Sequence, residues 1–290
     1  MGALRASAIL TGFFALTVPL MPVQAVLVRL SPKAARRFPH WYHRQVCRLM
    51  GITLTIDGAV ARDSPVLLVC NHTSWLDIPV LSAVAPLSFV AKKEVGGWPF
   101  VSSLARLQRT VFVDRNRRQA AGDAANEIAD RLKAGDTIVL FAEGTSSDGN
   151  RVLPFKTSLF GAVMGDGATD SQVVVQTAAI VYTHLHGVPI LRADRPRVGW
   201  YGDMEMQSHA WGVLKAGPLA VTIRVGPPVP LDSFNGRKDL ALTSERSVRK
   251  AVLGVLRGRP ATDDIQPVEP DESHRRQRLS TATPSSEKWT

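Results

Sequence analysis

An uncharged, mostly apolar run, Ala6–Val28, opens the chain between Arg5 and Arg29. Its 23 residues are enough to cross a hydrocarbon core as one helix. Pro19 and Pro22 lie inside it and predict a kink or a break. A single span and a helical hairpin that enters and leaves one membrane face both fit. So does a cleaved signal peptide, with Arg5 ahead of the apolar stretch and Val23-Gln24-Ala25 as cleavage site. Next, Phe38–Met50 places Trp41, Tyr42, Val46, Leu49 and Met50 at helical spacing among Arg44 and Arg48. That pattern is a basic amphipathic helix, suited to a membrane interface or to packing on a domain.

From Gly51 the periodicity changes to alternating strands and helices. Ile52–Ile56 alternates and stops at Asp57-Gly58, a turn signal. Further strands are predicted at Val66–Cys70, Ser88–Ala91, Val111–Val113, Thr137–Phe141, Val173–Tyr182 and Ala220–Val225. Helices are predicted at Trp75–Val84, Phe100–Leu107, Gln119–Lys133, Pro154–Met164 and Asp239–Leu256. This alternation defines one α/β domain, with a central mixed, mainly parallel sheet flanked by helices. Past Gly258 apolar periodicity vanishes, and Pro, Ser, Thr and charged residues predict a disordered tail. The resulting division is 1–30, a membrane anchor or re-entrant helical segment; 31–50, an interfacial helix; 51–258, the folded domain; and 259–290, the tail.

Composition sharpens this picture in two places. Net charge is +10, which points to an anionic partner, nucleic acid or anionic lipid. The apolar N-terminus favours lipid, since a nucleic-acid binder has no need of it. Arg29, Lys33, Arg36, Arg37, Arg44 and Arg48 follow the apolar run, whereas Arg5 alone precedes it. The positive-inside rule then keeps the following domain on the cytoplasmic side of the inner membrane and favours a retained segment over a cleaved one. The two cysteines, Cys47 and Cys70, provide neither a disulfide framework nor metal-ligand spacing.

Candidate chemistry gathers where strands end. Val66–Cys70 runs into Asn71-His72, with Asp77 five residues beyond the histidine. Ser88–Ala91 runs into Lys92-Lys93-Glu94, Val111–Val113 into Asp114-Arg115, and Thr137–Phe141 into Ala142-Glu143-Gly144-Thr145. Strand ends are where α/β proteins place their sites. If these strands are neighbours, one edge offers a base (His72), a carboxylate to orient it (Asp77), cations (Lys92, Arg115) and a carboxylate beside a glycine turn (Glu143, Gly144). Each group also has a plainer reading as a cap, a surface charge or an ion-pair partner.

Asn71-His72-Thr-Ser-Trp-Leu-Asp77 resembles the His-x4-Asp signature of the glycerolipid acyltransferases, the lysophosphatidate acyltransferase superfamily. Ala91-Lys92-Lys93-Glu94 through Phe112-Val113-Asp114-Arg115 resembles that family's second block. Phe141-Ala142-Glu143-Gly144-Thr145 resembles its third, usually Phe-Pro-Glu-Gly-Thr-Arg. The resemblance covers residues 50–230. It implies acyl transfer from a thioester, acyl carrier protein or coenzyme A, to the hydroxyl of a lysolipid. It makes 51–258 the acyltransferase domain, with His72 as general base and Asp77 as its partner. Asn71, Lys92, Arg115, Glu143, Gly144 and Thr145 are implied to shape the donor and acceptor site. Backbone N–H groups after Asn71, or at the Gly144 turn, are candidates for the oxyanion. No metal or bound cofactor is implied.

Two departures bear on the acceptor. Ser146 stands where the family has the arginine assigned to the lysophosphatidate phosphate, and a serine cannot replace a guanidinium. Val175-Gln176-Thr177 stands where the fourth block carries Val-Pro. The run Glu143–Lys156, with Gly199-Trp-Tyr-Gly-Asp203 downstream, resembles the bacterial branch that acylates lyso-ornithine lipid, a phosphate-free acceptor bearing an ammonium and a carboxylate. Asp148, Asp203, Arg151 and Lys156 are candidate partners for those charges. The in-class alternative is 1-acylglycerol-3-phosphate, with Arg151 or Arg192 standing in for the missing arginine. The alternative of another class is a non-catalytic peripheral lipid-binding protein. Gly199–Asp203 also reads as a plain surface loop.

Overall fold

The computed structural model describes residues 1–114, 118–162, 164 and 172–260. Arg115, and the predicted tail from 261 onward, lie outside the described residues. The strands are β1 (Ile52–Asp57), β2 (Val66–Cys70), β3 (Ser88–Lys92), β4 (Val111–Val113), β5 (Thr137–Phe141), β6 (Val174–Leu185), β7 (Val188–Pro189), β8 (Leu219–Val225) and β9 (Val229–Pro230). The helices are α1 (Gly2–Leu30), α2 (Pro32–Met50), α3 (Asp77–Ser82), α4 (Val101–Leu107), α5 (Arg118–Lys133), α6 (Met206–Ala216) and α7 (Arg237–Leu256).

The sheet runs β1-β8-β6-β2-β5-β3-β4, with short β7 and β9 both paired to β6. From β6 to β4 every neighbouring pair is parallel. β8 turns antiparallel on β6, and β1 follows it in parallel. The sheet is therefore mixed and mainly parallel, with helices on both faces.

β2 lies at its centre, and all five of its residues are buried. Alternation splits them between two cores. Val66, Leu68 and Cys70 pack with Phe89, Phe141 and Ile180 under α2 and α3. Leu67 and Val69 pack with Ile138, Leu140 and Val181 under Ile128 and Leu132 of α5 and Leu240 and Val248 of α7. A strand buried on both faces reads as a continuous apolar run, as this one does.

α1 carries Pro19 and Pro22 without ending, contrary to the predicted break. α2 turns back along it after an extended Ser31. Thr17 Oγ1 and Tyr42 OH meet at 2.7 Å, and Gln24 Nε2 donates to the carbonyls of Ala35 at 3.0 Å and Leu107 at 2.9 Å. These contacts flank the prolines and hold the helix against its neighbours where two intrahelical bonds are missing. At the far end the Arg5 guanidinium donates to Met50 O at 2.6 Å and to Leu214 O, near the carboxyl ends of α2 and α6. A cation is favoured at such ends by the helix dipole. The outer side of α1 leaves Phe14, Val18, Val23, Val26, Val28 and Leu30 exposed. α1 is long and apolar enough to cross a membrane.

Two predicted helices differ from the structure. Trp75–Val84 shortens to α3, with i−3 turns at both ends: Ile78 N–H bonds Trp75 O at 3.3 Å and Val84 N–H bonds Leu81 O at 2.9 Å. Pro154–Met164 becomes a 3-10 helix, Thr157–Ala162. The N–H groups of Leu153, Phe155 and Lys156 go to Glu143, Glu245 and Ala142 O, so that stretch is shaped by tertiary partners. α6 carries no strong helical pattern and was not predicted from the sequence.

Candidate active site

β2, β5 and β3 lie side by side and run the same way, so Asn71-His72, Glu143 and Lys92 emerge at one edge. His72 continues the alternation of Leu68 and Cys70. Its ring accordingly stacks on Phe141, with centroids 4.1 Å apart and planes at 17°. Phe141 in turn stacks on Phe89 at 5.9 Å and 10°.

The other constraint on the imidazole is Asp77, which is fully buried. Asp77 Oδ2 lies 2.8 Å from His72 Nδ1 and accepts the N–H groups of Thr73 at 2.7 Å and Ser74 at 3.0 Å. Oδ1 accepts the Tyr182 hydroxyl at 2.7 Å. Bonding this complete holds the carboxylate in one position. Its bond to Nδ1 orients the ring and leaves Nε2 as the nitrogen without that partner. The His72 side chain is 18% exposed, so that edge is reachable. Burial and the neighbouring Asp77 push the Tyr182 phenol well above its usual value, so it remains a donor.

Glu143 is also buried. Its Oε1 accepts the His72 N–H and its Oε2 the Leu153 N–H, each at 2.7 Å. Burial drives its pKa up to about 7, against the downward pull of those two bonds. Both oxygens are engaged with backbone, so Glu143 braces the His72 segment. Asn71 is similarly occupied: its amide donates to Ile180 O at 3.0 Å and accepts from Ile180 N at 2.8 Å, extending the β2–β6 pairing past the strand end. Gly144 takes φ 71°, a left-handed conformation that suits glycine, and its N–H closes the turn on Phe141 O at 3.0 Å.

The N–H groups of His72, Thr73 and Ser74, candidates for the oxyanion, are thus bonded to Glu143 and Asp77. Those of Thr145 and Ser146 make no hydrogen bond among the described residues. Thr145 is exposed beside the turn and Lys92 is exposed at the end of β3. Arg115 is outside the described residues.

Sequence reasoning missed Phe141 and Tyr182, which hold the pair from opposite sides; a strand-period count identifies both as core and says nothing of their partners. It also undervalued Gly199–Asp203. Trp200 N–H donates to Thr73 O at 2.9 Å, and the Ser146 hydroxyl donates to Trp200 O. A Cβ on Gly199 would lie 3.1 Å from Ser147 O and 3.3 Å from Asp148 C, so this segment packs directly on the site. Ser147 N–H donates to His72 O at 2.9 Å. Trp75 Nε1 donates to His209 Nδ1 at 3.1 Å, joining α6 to the same edge. Gln176, in the departure from the fourth block, is buried and bonds Ala59 O, Ala61 N and Gly226 O at 2.7 to 3.1 Å.

A histidine bonded to a buried carboxylate thus stands at the carboxyl edge of the sheet, and the comparisons supply the class of protein. The chain belongs to the acyltransferase family, whose model matches residues 51–181. A lyso-ornithine lipid O-acyltransferase of Brucella abortus is 46% identical over 260 residues, 89% of this chain and 97% of that protein. One of Rhizobium meliloti is 43% identical over 242 residues, 83% of each chain. The crystal structure of the 1-acyl-sn-glycerophosphate (LPA) acyltransferase of Thermotoga maritima shares the fold. Its TM-score is 0.63 at 22% identity, covering 88% of this chain and 94% of that one. The protein is an acyltransferase.

Proposed function

We propose that this enzyme moves a fatty acyl group from a thioester, carried by acyl carrier protein or coenzyme A, to the hydroxyl of lyso-ornithine lipid. The observation that carries the mechanism is the His72 Nδ1–Asp77 Oδ2 bond of 2.8 Å on a fully buried, otherwise satisfied carboxylate. A hydroxyl is a poor nucleophile until its proton is removed. His72 Nε2 takes that proton as the oxygen attacks the thioester carbonyl, and Asp77 stabilises the imidazolium that forms. The C–O bond forms, the C–S bond breaks, and the proton passes to the departing thiolate. The free N–H groups of Thr145 and Ser146, after the Gly144 turn, supply donors for the oxyanion. Lys92 and Arg115 provide positive charge for the donor, whose carrier is anionic in either form.

The two relatives named for lyso-ornithine lipid, and Ser146 in place of the phosphate-binding arginine, support that acceptor over 1-acylglycerol-3-phosphate. The exposed apolar side of α1 and the basic residues of α2 fit a hairpin seated in the cytoplasmic face of the inner membrane, next to the acceptor. The test is an acyl-transfer assay on membranes, with lyso-ornithine lipid and lysophosphatidic acid offered separately and His72→Ala as control. Transfer to the ornithine acceptor, lost in His72→Ala, is the expected result. Transfer to lysophosphatidic acid alone overturns the acceptor, and activity retained by His72→Ala overturns the mechanism.

A further inference from the structure

The catalytic edge adjoins a group of charges that the chemistry above leaves unused. A small, partly open recess is lined there by Asn71, Thr73, Gly149, Arg151, Tyr182 and Arg195 among others. Thr73 follows His72 in the chain and Tyr182 bonds Asp77, so the recess borders the segment that holds the pair, on the sheet face of Val152, Val181 and Val252. Two separate segments bring charges into and around it. The loop after the Gly144 turn brings Asp148 and Arg151; the segment leading to Trp200 brings Arg192 and Arg195. They are close packed, with the Arg195 Cβ only 3.7 Å from where a Cβ on Gly149 would lie.

The partners within this group are incomplete. Arg195 Nη1 donates to Asn150 Oδ1 at 3.1 Å. Its Nε–H is buried and meets no acceptor among the described residues. Arg151 and Arg192 are exposed. Asp148 is held by neutral donors, Asn150 N at 3.0 Å and Asn150 Nδ2 at 3.1 Å. Burial acts to raise the Asp148 pKa, but those bonds with Arg151 and Arg192 outweigh it and keep the carboxyl below its usual value. Burial and then Arg192 pull Arg195 below the usual guanidinium value, opposed by Asp148. Three cations around one carboxylate repel one another, and an added anion relieves that repulsion. A guanidinium with an unpartnered buried N–H is also well shaped for a planar acid.

We infer that this charged cluster at the mouth of the recess is the headgroup subsite for the acceptor, in which Arg195, aided by Arg192 and Arg151, binds the headgroup acid and Asp148 binds an ammonium. The inference rests on the acyltransferase reading and names the part of the site that reads the acceptor. Asp148 adds a partner for an ammonium. An amine-bearing carboxylate can use it, whereas a phosphate lacking an amine cannot. Ser146 then has a role of its own: its bond to Trp200 O fastens the segment that carries Arg195 over the pocket.

The experiment compares lyso-ornithine lipid, its carboxyl methyl ester and lysophosphatidic acid as acceptors for the full-length protein in detergent. Equilibrium binding is measured in parallel on His72→Ala protein. The wild type is expected to show at least a tenfold higher KM for the ester than for the free acid. Arg195→Gln is expected to raise KM for the free acid about tenfold and to abolish its advantage over the ester, with Arg195→Lys restoring part of it. Asp148→Asn is expected to shift preference towards lysophosphatidic acid. Equal KM for acid and ester in the wild type overturns the proposal without reliance on any variant. So does an unchanged KM in folded Arg195→Gln. If the wild type uses lysophosphatidic acid alone, the lyso-ornithine reading and the Asp148 role both fall. Arg195→Gln then decides the acid subsite separately, a raised KM for the phosphate supporting it and an unchanged KM overturning it.

Discussion

Asp77 and Asp148 lie on the same edge of the sheet in opposite surroundings. Asp77 is fully buried, and its oxygens accept from Thr73, Ser74, Tyr182 and the His72 ring. Asp148 is half-buried, bonded to neutral Asn150 donors and surrounded by arginines with capacity to spare. A carboxylate whose bonding is complete can only hold a geometry. One whose neighbours are incomplete can take part in binding. On the proposed reading, the contrast separates a rigid catalytic pair from an adaptable headgroup subsite within the same few loops.

The deepest test of the rigid side is His72→Ala, which removes the proposed base. Acyl transfer should fall roughly 10³-fold, near the middle of what general base catalysis contributes. Circular dichroism and membrane association should be unchanged, because Asp77 keeps the Thr73, Ser74 and Tyr182 donors when the ring is removed. Asp77→Asn should follow closely. An amide presents N–H to donors on one side or the other, leaving buried groups opposed. A loss of about 3 kcal/mol in thermal unfolding and a roughly 10²-fold slower transfer are expected.

Glu143→Gln probes the brace beneath the pair. One amide nitrogen must face the N–H of His72 or Leu153, costing about 2 kcal/mol. This position also carries a pH signature. The folded carboxyl has its pKa raised from 4.5 to about 7, so between those values the folded chain holds a proton that the unfolded chain has released. Stability from this group is fully present below pH 4.5 and declines as pH rises to about 7. The change is on the order of 3 kcal/mol at 1.4 kcal/mol per pH unit. Unfolding measured from pH 4.5 to 8 should show that decline in the wild type, and Glu143→Gln should flatten it. An equal slope in both proteins would assign the proton elsewhere.

The smallest effect belongs to the adaptable side. Ser146→Ala removes one hydroxyl bond, to Trp200 O, and should cost about 1 kcal/mol. Its kinetic signature should be a higher acceptor KM with kcat little changed, since it loosens the segment bearing Arg195 and leaves His72 in place. A fall in kcat alone would erase the distinction between the two regions.

The sequence by itself determined the α/β class, the identity of most strands and the residues that close them. Val66–Cys70 can be read as a doubly buried strand because five apolar residues leave no polar face, and the polar residues after it mark the sheet edge. His72 and Asp77 were legible because five positions of chain are short enough to bring them together. The tertiary structure alone decided what their neighbours do. Asn71 and Glu143 look like ligand-binding groups in sequence, yet their side chains bond backbone at Ile180, His72 and Leu153. Pro19 and Pro22 predict a kink or a break, and α1 runs on through both, with contacts to Tyr42 and Ala35 on either side of them. Tyr182 reaches Asp77 across 105 residues, and the segment at Trp200 reaches Thr73 across more than a hundred. Local pattern encodes which face a side chain takes. Which donor meets which acceptor depends on strand order and loop packing, and those are properties of the folded chain as a whole.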